Sequence, residues 1–379
     1  METRQRIDFL YLSEQDMLKS GVSDMPKCIS AMEEVFRLLH SGDYRMGGPR
    51  ANEHGIRVIF PNESIVPGLP LNKPDFRFVA MPAYLGGRFR SFGIKTYGSN
   101  PDNRELGLPR SILMFSLMDA VTGAPMAYMS ANILSAMRTA AVTGLGVKWF
   151  CRKDARVLSI IGPGVMGRYA LDAFMACDFK FEALKVKGRG AASLKKFIEY
   201  VKAKHPEIKS IDVCDSVVDA CKGSDVVYFG TTNAARFEDN PTIKKDWIKP
   251  GCVVISASAL LVGPETLRAC TLVADNYAMY EGWGIGNPYP TQKSVSSLLG
   301  MGFYDAICQK AIKREDVYDL GDVISNKKNL RKSDDQIFMY SVGGMPVEDV
   351  AWANEVYHSA LRQGIGVMLN LWDQPELMK

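Results

Sequence analysis

The run Ile160-Ile161-Gly162-Pro163-Gly164-Val165-Met166-Gly167 restricts the fold of this chain more than any other stretch. It follows the apolar segment Arg156-Val157-Leu158-Ser159 and precedes Arg168-Tyr169-Ala170-Leu171-Asp172-Ala173-Phe174, whose pattern is helical. Gly-x-Gly-x-x-Gly between a strand and a helix is a dinucleotide-binding turn. Gly162 permits the tight bend, Gly164 lets the backbone approach a pyrophosphate, and Gly167 lets the helix pack close to the strand. The helix start, Val165 and Met166 included, offers free N–H donors to the anion.

The surroundings fit that turn. From about residue 155 to 275 strand and helix patterns alternate. Strands are expected at 157–161, 183–187, 211–214, 225–229, 252–255 and 271–275, with helices at 167–177, 192–204 and 216–221. Asp225-Val226-Val227-Tyr228-Phe229 and Cys252-Val253-Val254-Ile255 are nearly continuous apolar runs, as strands buried on both faces of a parallel sheet require. Six such strands with helical crossovers make an α/β Rossmann fold, a doubly wound parallel sheet.

The first 135 or so residues read differently. Residues 26–40 form an amphipathic helix with Ile29, Met32, Val35, Phe36 and Leu39 on one stripe. Short strands follow at 57–60, 76–82, 92–97, 111–119 and 125–129, the last two joined by a hairpin turn at 119–123. This is an α+β segment whose turn-separated strands are expected to be antiparallel. Residues 347–363 are again helical and come after the Rossmann strands, so they are expected to return to the first segment. The expected division is a discontinuous substrate domain, 1–137 with 336–379, and a dinucleotide domain, 138–335.

Composition narrows the class. At 379 residues the chain can fill two cores. Its net charge of +4 is spread out, and the one basic run, Lys327-Lys328-Asn329-Leu330-Arg331-Lys332, reads as a solvated loop. Nucleic-acid binding is not indicated. The N-terminus lacks signal-peptide sections, and no apolar run reaches the ~18 residues of a membrane span. Eight separated cysteines without a Cys-x-x-Cys pair read as free core thiols, which suits a reducing cytoplasm. Four histidines without metal-ligand spacing argue against any metal site.

Two positions bear on the nucleotide. The second strand ends in Lys185-Val186-Lys187-Gly188-Arg189-Gly190, which has no acid for a ribose 2′-hydroxyl. Arg189 lies 22 residues beyond Gly167, near the usual spacing, and with Lys187 suits a 2′-phosphate, so NADP(H) is favoured and NAD(H) possible. Thr231-Thr232-Asn233 follows the 225–229 strand, at the carboxyl end where doubly wound sheets bind ligands. In the other segment three cations stand out: Arg50, Lys95 in an otherwise apolar strand, and Arg138 at the head of the helix entering the Rossmann segment. A lysine in an apolar strand lies at an edge or is buried and paired. Arginine's planar fork suits a carboxylate.

Taken together, these features make the chain resemble the ornithine cyclodeaminase/μ-crystallin family from about residue 76 onward. The resemblance rests on Gly93-Ile94-Lys95, Asp119-Ala120-Val121-Thr122-Gly123-Ala124-Pro125, Ser135-Ala136-Met137-Arg138-Thr139-Ala140-Ala141, the glycine turn, and Ser341-Val342-Gly343-Gly344-Met345-Pro346-Val347-Glu348-Asp349. It implies a substrate and dimerisation domain beside the Rossmann domain, and hence a homodimer. It also implies that Arg50, Lys95 and Arg138 bind a substrate carboxylate, Lys95 and Arg138 at the catalytic centre, and that Thr139 lies near the cofactor phosphates.

Two departures from the cyclodeaminases are visible. The stretch Ser256-Ala257-Ser258-Ala259-Leu260-Leu261-Val262-Gly263 lacks their acid, none occurring before Glu265. Ala80, before Met81-Pro82, stands where they grip the substrate's amine with an acid. Similarity is greatest to members that oxidise or form N-substituted amino acids, through Ala80-Met81-Pro82, Gly98-Ser99-Asn100 and Gly364-Ile365-Gly366. Those usually carry an acid after the second strand, from which Arg189 departs. The expectation is an NAD(P)-dependent oxidoreductase that transfers hydride at the α-carbon of an amino acid or N-substituted amino acid through an imine. The alternatives are a cyclodeaminase that releases ammonia and a non-catalytic crystallin-like binder. Residues 45–65 and the aromatic loop 280–292, a candidate lid, are expected to set specificity.

Overall fold

The computed structural model describes residues 5–378, in two compact units. The first comprises Met1–Asp24, Ser41–Arg138 and Met345–Lys379, and the second Met25–His40 and Thr139–Gly344.

In the first unit, β1 (Ile7–Leu12), β2 (Tyr44–Met46), β3 (Ile56–Val58), β4 (Arg77–Leu85), β5 (Ser91–Ser99), β6 (Ser111–Asp119), β7 (Pro125–Ser130) and the C-terminal strand Val367–Trp372 form one sheet. The order is Val367–Trp372, β1, β7, β6, β5, β4, β2, with β3 also on β4. Only β1 and β7 pair in parallel. The turn after β6 forms because Asp119 Oδ1 accepts from Val121 N and Thr122 N at 3.1 and 2.8 Å, and Gly123 takes a left-handed φ of +74°.

Burial alternates along β4, with Val79, Met81, Ala83 and Leu85 inside. The helix Pro346–Gln363 covers that face. A Cβ on Gly93 of β5 would lie 2.2 Å from Phe115 Cζ and 3.0 Å from Val350 Cγ2, so only glycine allows the helix this close. Trp352 Nε1 donates to Val22 O at 3.1 Å, and Asn354 Nδ2 donates to Ser91 Oγ at 3.0 Å. β1, β2 and the C-terminal strand have no counterpart in the sequence reading. Two of them pair with each other across most of the chain, and no local pattern encodes that ladder.

The second unit holds β8 (Val157–Ile161), β9 (Ala183–Lys187), β10 (Ser210–Val213), β11 (Val226–Phe229), β12 (Thr242–Ile243), β13 (Val253–Ser256), β14 (Leu261–Val262), β15 (Thr271–Ala274), β16 (Val317–Asp319) and β17 (Phe338–Ser341). β12 and β14 form a small separate pair. The rest make one parallel sheet in the order β10-β9-β8-β11-β13-β17-β15-β16. β11, β13 and β17 are wholly buried, as continuous apolar strands between two helical layers must be.

Two expectations need correction. The sheet has eight strands rather than six, because β16 and β17 join it, β17 between β13 and β15. Residues 336–344 therefore belong with the nucleotide fold. The amphipathic helix, Met25–Ser41, also falls almost wholly in the second unit rather than in the substrate domain. The helix has partners there: a Cβ on Gly321 would come within 2.8 Å of Phe36 O, and Glu33 accepts from Trp149 Nε1 at 2.9 Å. An amphipathic stripe says that a helix packs, not against what.

Candidate active site

The glycine turn lies at the carboxyl ends of β8 and β11. Gly162 has φ +103°, and a Cβ there would stand 2.5 Å from Gly230 O. At Gly167 a Cβ would stand 2.4 Å from Gly162 O, so the helix Val165–Met175 could not pack so close with a side chain there. Gly164 differs: no protein atom lies within 4 Å of where its Cβ would be. It caps the helix without a side-chain hydrogen bond, so the first N–H groups at Val165 and Met166 are left for a ligand. Two glycines are thus needed by the protein itself, and one leaves open space where a pyrophosphate would lie. These residues fit a nicotinamide dinucleotide.

The flanking positions differ in their commitments. Thr231 N donates to Ser258 Oγ at 3.0 Å, which fixes the 231–233 turn beside Gly162, with Thr232 and Asn233 exposed. Gly188 packs on the glycine turn, where a Cβ would meet Pro163 Cγ at 2.7 Å, and the next residue, Arg189, is exposed. Lys187 is half-buried and spends a donor on Asp215 O at 2.6 Å, so Arg189 is the freer cation for a phosphate. Thr139 is half-buried in the helix Asn132–Phe150.

In the first unit, Lys95 and Arg138 are buried, 2 and 3% exposed, and paired. Lys95 Nζ donates to Asp349 Oδ2 at 2.8 Å and to Ser135 Oγ at 3.1 Å. Arg138 Nε donates to Asp349 Oδ1 at 2.8 Å, and Nη1 to Glu348 Oε2 at 2.6 Å. Two cations thus face two carboxylates, so the group is formally neutral. Burial, and next Arg138, bring the Lys95 pKa down to about 8 against the pull of Asp349. Arg138 is held firmly protonated: its carboxylates overcome a large burial penalty. Arginine has five N–H donors and lysine three. These bonds engage two of each, so donors remain for a substrate carboxylate.

His54 completes this region. Protein crowds its ring, and its pKa falls well below the ordinary histidine value through burial first, then through Lys95, Arg138, Arg57 and Arg77. Arg50, by contrast, is exposed in the loop after β2, where Asn52 Nδ2 donates to its carbonyl at 3.2 Å. It stands apart from the buried group in character, and its role as a carboxylate ligand is a proposal. The position facing Lys95's side of the sheet is also not Ala80. In the register Ala80 pairs with Thr96, whereas Val79 and Met81 share the face of Tyr97 and Lys95. Val79 is uncharged too, so no acid is supplied there.

Glu348, Asp349, Ser135 and His54 have no assigned role in the sequence reading. One signal for the acids is visible in hindsight of their burial: Pro346-Val347-Glu348-Asp349-Val350-Ala351 puts two adjacent acids in the first turn of an apolar helix, and acids buried there must meet cations.

Around the end of β13 the polar groups are hydroxyls: Ser256 Oγ donates to Ser258 O at 2.9 Å. Asp275, one of several buried aspartates of this unit, is raised by burial to about 6; it accepts from Gly343 N and Gly344 N at 2.6 and 3.2 Å and so braces the Ser341–Gly344 turn. The 280–292 loop is anchored at both ends. Tyr280 is fully buried, and Thr291 N and Gln292 N donate to Asp305 at 2.9 and 2.8 Å. In the basic run, Arg331 is no solvated charge: it donates to Phe150 O at 2.7 Å and to Gly251 O at 3.0 Å. Cys308 is exposed, unlike the core thiols Cys28, Cys177, Cys221 and Cys252. Among the described residues no helix is long and apolar enough to cross a membrane, and no three His, Cys, Asp or Glu side chains group as a metal site.

Comparison with known proteins gives consistent relatives. The N-((2S)-2-amino-2-carboxyethyl)-L-glutamate dehydrogenase of Staphylococcus aureus is 28% identical over 374 residues, 96% of this chain and 99% of that protein. Among solved structures, the Thermococcus litoralis Delta(1)-pyrroline-2-carboxylate reductase in complex with NADH and L-proline aligns with a TM-score of 0.74 at 24% identity, covering 95% of this chain and 99% of that one. An archaeal alanine dehydrogenase dimer with bound NAD aligns at 0.75 and 23% identity, covering 97 and 100%. A sequence model of the ornithine cyclodeaminase/mu-crystallin family matches residues 22–364, and by that match the chain belongs to this family.

Proposed function

We propose that this chain is an NAD(P)-dependent oxidoreductase of amino acids or N-substituted amino acids, working through an imine. The observation that carries this reading is Lys95, a buried lysine with a pKa near 8, held between Asp349 and Ser135 beside Arg138. Arg138 and Lys95 hold the substrate carboxylate with their remaining donors, assisted by Arg50, so that orientation is settled on binding rather than in the chemical step. Lys95 then gives its Nζ proton to the nitrogen as the imine becomes an amine, or takes it back in the reverse direction. When bound, the nicotinamide supplies or accepts the hydride at the α-carbon. Asp349 keeps Lys95 aimed and partly charged. A carboxylate-free end to β13 leaves no base to activate water there, which favours redox turnover over cyclisation.

NADP(H) is the preferred cofactor in this proposal, because the exposed Arg189 occupies the place of the ribose-binding acid. The working form is a homodimer. The open face of the first unit's sheet exposes Phe78, Phe92, Ile112 and Tyr128, which register places on one side, and a second copy covers them.

The test is a panel of 2-oxo acids crossed with amine donors, with NADH and NADPH run separately and reduced-nicotinamide absorbance followed. Net consumption with at least one pair, faster with NADPH, is expected. Ammonia release without net consumption would instead assign a cyclodeaminase, and tight binding without turnover a ligand carrier.

A further inference from the structure

Among the described residues three tyrosines are wholly buried, Tyr228, Tyr280 and Tyr340. Tyr280 Oη lies 3.0 Å from Ser341 Oγ, and Tyr340 Oη donates to Val142 O at 3.3 Å. Tyr228 Oη has no hydrogen-bond partner in the protein. Burial alone acts on its pKa and raises it, so the phenol keeps its proton and stays a donor at neutral pH. A buried donor without a partner is costly to a fold, and its position shows what it can serve.

Tyr228 stands in β11 level with Ile160 of β8, and residues level in neighbouring strands point to the same side of a sheet. Ile160 faces the helix Val165–Met175: a Cβ on Gly167 would lie 3.2 Å from its Cγ2. Tyr228 faces that helix too, its ring meeting Phe174 edge-on with centroids 5.7 Å apart. The ring then leans along the strand toward its carboxyl end. A Cβ on Gly230, two residues on, would lie 2.6 Å from Tyr228 Cε1 and 2.9 Å from Oη. Gly230 in turn abuts the glycine turn. Its N–H donates to Ile161 O at 2.9 Å, and its O is the atom that a Cβ on Gly162 would strike. The hydroxyl thus lies at the carboxyl end of β11, between the sheet and the helix that starts from the glycine turn. Ser159 of β8 is the contrast. Its Oγ also lacks a partner, but it sits mid-strand, level with Val227 on the other side of the sheet.

Resting on the nicotinamide-dinucleotide reading of the glycine turn, we propose that Tyr228 belongs to the nucleotide site: its hydroxyl donates to the pyrophosphate through one buried water. The water is needed because the tyrosine is closed off from solvent, and a buried water is stable where about three polar groups surround it. The hydroxyl on one side, the phosphate oxygens on the other and the N–H groups that begin the helix supply them. Such a bridge holds nearly as well as a direct bond. It also gives Gly230 a purpose, since any side chain there would displace the ring that carries the hydroxyl to the turn. The pyrophosphate is common to NADP(H) and NAD(H), so Tyr228 adds affinity for both, and discrimination is left to Arg189.

The test is Tyr228→Phe, which keeps the ring and removes only the hydroxyl. Affinities for NADPH, NADH and ADP-ribose 2′-phosphate are measured by calorimetry, beside thermal unfolding of the nucleotide-free protein. All three ligands carry the pyrophosphate, and the last lacks the nicotinamide. Affinity for each should fall ~5-fold while the unfolding temperature holds or rises, because losing an unpaired buried hydroxyl costs the fold nothing. A hydroxyl that only fills space under the helix would leave all three affinities unchanged, and that result overturns the proposal. So does a loss that spares NADH, which would place the effect at the 2′-phosphate. A clear drop in unfolding temperature also overturns it, since the hydroxyl would then have a partner within the protein. Failure of the wild type to bind any of the three brings down the nucleotide reading and this role together, whereas equal binding by both proteins brings down the role alone.

Discussion

The glycine turn and the buried Lys95 group both depend on polar chemistry in tight surroundings, yet they are built in opposite ways. At Gly162–Gly167 six consecutive residues carry the motif: Gly162 answers to the backbone at Gly230, Gly167 to the backbone at Gly162, and Gly164 is left open. In the Lys95 group the carboxylates lie 210 to 254 residues in sequence from the cations they pair with, and each charge is tolerated only because the others are present. The first is a local device that offers backbone donors to a ligand. The second is a long-range device that satisfies itself and keeps a few donors spare. The lesson is that a cation's presence in a sequence says little of its availability. Lys95 and Arg138 are buried and ion-paired, whereas Arg189 is exposed.

Changes at these two regions separate their roles. The largest effect is expected from Lys95→Met, which removes the proton donor and should lower kcat by ~10³-fold if Lys95 is the general acid. Steady-state rates with a saturating 2-oxo acid and amine check this, and an undiminished kcat would return Lys95 to a structural role. The same role fixes a pH sign. Lysine is charged below its pKa, so imine reduction should be at full rate well below pH 8 and decline as pH rises through about 8, while the oxidative direction rises.

Next comes Asp349→Asn, which strands the buried Lys95 and Arg138 with one carboxylate. A loss of about 3–5 kcal/mol in urea unfolding is expected, as for a buried pair broken on one side. Because Asp349 holds the Lys95 pKa up, the basic limb of the rate profile should also move to lower pH in any folded variant. A limb that stays put would uncouple the two residues.

The glycine turn should split cleanly. Gly162→Ala forces a side chain onto Gly230 O at a left-handed φ and should cost about 1–3 kcal/mol of stability. Gly164→Ala meets nothing within the protein, so thermal unfolding should hardly change while NADPH affinity falls ~10-fold, a loss of about 1.4 kcal/mol. Equal destabilisation by both would erase the distinction drawn between them. The smallest effect is expected at Arg189→Gln: NADPH affinity down ~10-fold, that of one lost charge-assisted contact, with NADH affinity unchanged. Fluorescence titrations with the two nucleotides measure it.

Much of the nucleotide fold was legible, because β8, β11 and β13 declare themselves by apolar runs, β9 by alternation, and the helix Val165–Met175 by its glycines. β17 was not, since its place between β13 and β15 is decided by pairing with strands more than 60 residues away along the chain. Lys95 and Arg138 could be singled out as charges in apolar settings, but their counter-ions could not, because nothing local links residue 95 to residue 349. Arg57 and Arg77 look like ordinary strand-end cations until register places them on one face.

By itself the sequence determined the nucleotide-binding turn, the parallel α/β core around it, and the presence of cations that apolar neighbours would not tolerate alone. Those are consequences of backbone conformation and of periodicity, which act over a few residues. Only the tertiary structure decided which charges neutralise one another, which remain to meet a substrate, and which face of the sheet they share. Electrostatic compensation depends on distance in space and on burial, and neither is a property of neighbours along the chain.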